Sequence, residues 1–64
     1  MNTNKTTARQ REIIRLYAKS IRQALIPEWR EAIQYELRGF LYGLETCGFI
    51  PTTEAKNIID RWCK

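Results

Sequence analysis

Between Ile13 and Leu25, apolar residues recur every three or four positions, the spacing of one face of a helix. At about 100° per residue, Ile13, Ile14, Tyr17, Ile21, Ala24 and Leu25 fall within an arc of roughly 120°. The pattern predicts a first helix from Thr6 or Thr7, either of which can cap its start, to Leu25. Trp29, Ile33, Leu37, Phe40, Leu41 and Leu44 then form a broader apolar face, with Arg30, Gln34, Arg38 and Glu45 on or beside its opposite side. These positions predict a second helix from Pro27 or Glu28 to about Cys47. Pro27 suits a first helical turn and biases Ile26 away from the α conformation. Glu28 and Glu31 place negative charge where the helix dipole favours it.

Gly48 suits the left-handed position that ends a helix, with Phe49 packing back over the last turn. After Ile50-Pro51, Thr52 or Thr53 can cap a short third helix. Its Ala55, Ile58, Ile59 and Trp62 share one face, while Lys56, Asn57, Asp60 and Arg61 point elsewhere.

The expected fold is all-α: a small three-helix domain over residues 6–64, two long helices and a short C-terminal one, preceded by a flexible arm over residues 1–5. The second helix is its central element. The join Ala24-Leu25-Ile26-Pro27 holds no polar loop residue. It fits either a tight corner with a buried elbow or one long helix kinked at Pro27. The apolar faces of the first two helices exceed what the third can cover. Self-association is therefore expected, with a two-fold homodimer as the default geometry.

A chain of 64 residues buries only about 60 % of its extended surface, which makes a monomer marginal. No apolar run approaches the roughly 20 residues that span a bilayer, so no membrane partner is expected. The N-terminus, Met-Asn-Thr-Asn-Lys, lacks the apolar stretch of a secretory signal, and a cytoplasmic location is the default. In that compartment Cys47 and Cys63, at opposite ends of the third helix, are expected as free thiols. Two cysteines without histidine leave no tetrahedral zinc set, and no cofactor is implied. Without histidine or a carboxylate pair, the sequence also points away from an enzyme.

Charge sharpens the functional reading. Residues 1–25 carry six basic side chains against one acidic, a net of +5; residues 26–64 carry five against six, a net of −1. Arg11, Arg15, Lys19 and Arg22 occupy an arc of roughly 80° beside the first apolar face. Like charges one turn apart repel, and a face kept only for solubility mixes its signs. The stripe reads either as a solvated helix face of good helix formers or as a site for an anionic partner, an acidic protein surface or a phosphate backbone.

A helix-turn-helix would place a small residue four positions before its turn glycine and apolar residues roughly six and nine after it. With Gly48 as that glycine, those positions hold Leu44, Glu54 and Asn57, and the match fails. Leu41, Leu44, Gly48, Ile50, Thr52 and Glu54 resemble the helix–Gly-x-Ile–[Ser/Thr]-x-Glu–helix pattern of small bacterial oligomerisation modules. That resemblance spans Leu41–Ile59 and assigns no family.

On the second helix, Gly39 and Gly43 make a small-residue edge beside Ala32, where another helix can approach closely. Glycine costs a helix up to about 1 kcal/mol per residue, so two of them call for a packing reason. Tyr35 and Tyr42 are outward aromatics near Arg38, suited to a protein contact or to base stacking. Tyr35, Arg38, Gly39, Tyr42 and Gly43 are thus the protein-interface candidates. Glu36 is expected to bridge to an arginine of the first helix, and Trp29 and Trp62 to anchor the core. The expected function is a non-enzymatic protein-interaction module, a regulator or inhibitor that occupies a site on a larger bacterial or phage complex. The alternative is a nucleic-acid binder that sets Arg11, Arg15, Lys19 and Arg22 on phosphates.

Overall fold

The computed structural model describes residues 4–63 and contains three helices. They are α1 (Ala8–Gln23), α2 (Pro27–Thr46) and α3 (Thr52–Trp62). The fold is all-α, with two long helices and a short C-terminal one. Residues 1–3 of the expected arm, and Lys64, lie outside the described residues. The rest of the arm is tied down: the Lys5 amide donates to the Phe49 carbonyl (2.7 Å), and the Asn4 side-chain oxygen accepts from the amide of Thr6, which is buried.

Local chemistry sets most helix ends. Thr7 opens α1 with a capping box. Its hydroxyl accepts from the Gln10 amide (3.1 Å), and the Gln10 side-chain oxygen accepts from the Thr7 amide (2.9 Å). Pro27 starts α2 in its first turn. At the other end Gly48 takes φ 79°, a left-handed conformation that glycine adopts without steric cost. The Gly48 amide donates to the Glu45 carbonyl (3.0 Å) and the Phe49 amide to that of Leu44 (2.8 Å), the paired bonds of a Schellman stop. The start of α3 departs from expectation. Pro51 holds the capping position, and the Thr52 hydroxyl donates to the Glu45 carboxylate (2.7 Å) instead.

Leu37 and Leu41 on α2 are completely buried, and Ile21, Leu44, Ile50 and Ala55 close around them. Tyr17 of α1 meets Phe40 of α2 with ring centroids 6.0 Å apart. Both α1 and α3 pack on α2, while α1 and α3 scarcely touch one another. The chain therefore turns a corner after α1 and is not one kinked helix. Arg30 braces that corner by donating to the Ala24 carbonyl (3.1 Å).

Three expectations are corrected here. The elbow is not buried: Ala24 is, but Leu25 stands 90 % exposed and Ile26 is exposed as well. Trp29 is 62 % exposed and anchors no core, whereas Trp62 packs against it. Trp29 lies in the first turn of α2, next to the exposed corner residues Leu25 and Ile26 and at the margin of the apolar arc. Gln34, Arg38 and Glu45, expected on the solvent side, are partly buried. The reason is that α3 lies along this flank of α2. The Gln34 side-chain amide donates to the Trp62 carbonyl (3.0 Å) and Arg38 Nη2 to that of Cys63 (3.2 Å). Those bonds satisfy carbonyls that the end of α3 would leave open.

Leu41→Ala should cost about 2–5 kcal/mol. That is comparable to the whole stability of a chain this size, about 3–10 kcal/mol. Urea melts should show the midpoint falling by the equivalent of about 2–5 kcal/mol; a loss below about 1 kcal/mol would mean that Leu41 is not the packing centre. Acrylamide quenching of single-tryptophan variants should find Trp29 readily reached in Trp62→Phe and Trp62 shielded in Trp29→Phe. The reverse order would contradict the exposed position of Trp29.

Candidate functional site

Because α1 and α3 both pack on α2 and scarcely touch each other, a groove of about 470 Å³ runs between them. Its floor is apolar, formed by Ile14 and Ala18 from α1, Ile50 ahead of α3 and Ile58 on it. Arg11 and Arg15 stand along the α1 wall, and Glu54 and Arg61, seven residues apart on one face of α3, along the other. Three guanidinium groups and one carboxylate therefore surround an apolar strip.

Each end of the groove is built. At the first, Asn4 and Thr6 close it: the Asn4 side-chain oxygen accepts from the Thr6 amide (2.9 Å) and from its hydroxyl. The Thr6 carbonyl accepts from Arg11 Nη1, which fixes that guanidinium at the rim. At the second end Trp62 lines the groove, and the Arg22 guanidinium lies 5.8 Å from its ring centroid. A cation over the face of an indole is held by the ring quadrupole.

The structure thus brings together three of the four residues of the predicted cationic stripe. Arg11 and Arg15 line the groove and Arg22 covers its tryptophan, while Lys19 is exposed and takes no part in the walls. Helical spacing on α1 alone did not reveal Arg61 and Glu54, the groove's other charged residues. Their common face on α3 could have suggested them, but only the parallel run of α1 and α3 sets it opposite Arg15.

The predicted protein-interface residues divide differently. Tyr35, Gly39, Tyr42 and Gly43 are exposed on the outward side of α2, Tyr35 to 77 %. Arg38 is not with them, because it turns toward α3 and donates to the Cys63 carbonyl, with its Nε buried and unbonded. Glu36 forms no bridge to α1: among the described residues the one ion pair is Arg9 with Glu12 at 3.7 Å. The arginines of α1 that line the groove face α3, whereas Glu36 is exposed on the outward side of α2. Cys47 and Cys63 are both free thiols.

No helix among the described residues is long and apolar enough to cross a membrane. Nor, among those residues, does any group of three or more His, Cys, Asp or Glu stand where it could hold a metal ion. Comparison with known proteins finds no matching family model, no matching curated protein and no matching solved structure.

A Cβ added at Gly39 or Gly43 would meet nothing within 4 Å, so nothing inside the chain requires glycine there. Gly39→Ala and Gly43→Ala should each stabilise the dilute chain by up to about 1 kcal/mol in urea melts. Destabilisation by either would show that the glycines serve a contact within the monomer.

Proposed function

We propose that this chain is a non-enzymatic protein-interaction module, a small cytoplasmic regulator or inhibitor that occupies an acidic helical surface on a larger assembly. One observation carries the reading: Arg11, Arg15 and Arg61 surround an apolar floor in the α1–α3 groove. A guanidinium presents a rigid fork of donors matched to a carboxylate, and an apolar floor favours apolar side chains. A ligand that satisfies both is an amphipathic segment with carboxylates flanking an apolar stripe. Two free cysteines suit a reducing compartment.

Phosphate binding is the second reading, and Lys19 is the observation behind it. This lysine is exposed outside the groove, so a partner of the groove leaves it unused. Base stacking does not strengthen that reading, since Tyr35 and Tyr42 project from α2, away from the cations of α1.

Fluorescence anisotropy separates the two. The probes are a labelled acidic amphipathic peptide, with Leu one turn apart and Glu on both flanks, and a labelled duplex DNA, each at low and physiological salt. The peptide should bind, and Arg15→Glu or Arg61→Glu should each weaken it about tenfold or more, with Lys19→Glu nearly neutral. DNA binding that falls steeply with salt, and that Lys19→Glu damages as much as Arg15→Glu, would overturn the protein reading.

A further inference from the structure

The groove has a chemical complement within the same chain. Glu28, Glu31 and Glu36 are all exposed on α2. Both cations of that helix are engaged elsewhere, Arg30 on the Ala24 carbonyl and Arg38 on that of Cys63. At about 100° per residue, Tyr35 and Gly39 form a strip with Glu31 on one flank and Glu36 on the other. Tyr42 continues the aromatic side of the strip, 57 % exposed. This is an acidic helix with an aromatic and small-residue centre, the pattern the groove selects.

The two faces also lack charged partners of their own. Among the described residues neither the groove arginines nor these three glutamates form an ion pair. The glycines of the strip leave room for a close approach from outside, and nothing within the chain uses it.

We propose that the chain associates with itself head to tail, the outward face of α2 in one copy seated in the α1–α3 groove of the next. This rests on the reading of the groove as a site for an acidic protein helix. Tyr35 enters the apolar floor, and Glu31 and Glu36 divide between the arginines of the two walls. Because α2 packs on α1 and α3 through a single side, its outward face looks away from the groove. Each contact therefore leaves a free face at one end and a free groove at the other, and a pairing of this kind extends rather than closes. An outside acidic partner competes with the second copy for the same groove, so a copy whose groove holds the partner still offers its α2 face but caps growth at its groove end.

Sedimentation velocity of the full chain, from micromolar to millimolar and at two salt concentrations, tests this. The mean mass should climb past that of a dimer and fall as salt is raised. A groove variant (Arg15→Ala with Arg61→Ala) and a face variant (Glu31→Gln with Glu36→Gln) should each need about tenfold more protein, or still more, to associate. Their circular dichroism should match that of the parent chain. Mixed together, they should form a one-to-one pair that grows no further, since each supplies the half the other lacks. Growth that stops at a dimer, or that ignores both variants, would overturn the proposal. A chain that stays monomeric yet still binds the acidic peptide overturns self-association and leaves the groove reading intact. A chain that assembles as described but ignores the peptide supports self-association and removes the outside partner.

Discussion

Everything in this fold depends on two leucines one turn apart. Leu37 and Leu41 are completely buried on α2, and both outer helices belong to the cluster that closes around them. A 64-residue chain has little else to bury. One helix must therefore supply packing for two neighbours, and those neighbours gain most by lying against it. The third side of the triangle, between α1 and α3, receives what is left. The groove is a consequence of where the core sits.

Charge then gives that side its character. Arg11 and Arg15 on one wall stand across from Arg61 and Glu54 on the other, so three cations and one carboxylate rim the gap. What the walls do share is placed at the ends, where Arg22 lies over Trp62 and the Asn4–Thr6 turn holds Arg11. Elsewhere the arginines of α2 spend their donors on backbone carbonyls, Arg30 at the corner and Arg38 at the end of α3. The outward side of α2 is thereby left acidic. A small chain with a net charge of +4 thus presents two chemically opposite surfaces, divided by its central helix.

What could be read from the residues alone was what is local. Pro27, and Gly48 with Phe49, act within a few positions of the helix ends they specify, so those ends could be placed before any tertiary contact was known, whereas Thr6 and Thr7 both stood open as the cap of α1. The cationic stripe was legible for the same reason, as helical spacing alone aligns Arg11, Arg15 and Arg22. Tertiary choices were not legible. The apolar arc of α2 is broader than its neighbours cover, and spacing could not say that Trp29 would be the residue left outside. Nor could it say that α3 would lie on the polar flank of Gln34 and Arg38. That choice follows from hydrogen bonds to the end of α3, which are distant in sequence. Arg61 joined the site only because α3 runs parallel to α1, and Glu36 lost its expected partner because the α1 arginines of the groove face the opposite way.

The central claim is that α2 holds two helices apart and thereby leaves an arginine-walled groove. A nuclear Overhauser spectrum of the dilute chain, resolved at methyl and aromatic protons, addresses it most directly. The account predicts cross-peaks from the Leu37 and Leu41 methyl groups into the core cluster formed with both outer helices. It also predicts Arg22 side-chain protons shifted upfield by the Trp62 ring, with few other contacts between α1 and α3. A dense run of cross-peaks joining α1 to α3 along their length would mean a closed three-helix core without a groove, and would contradict the account.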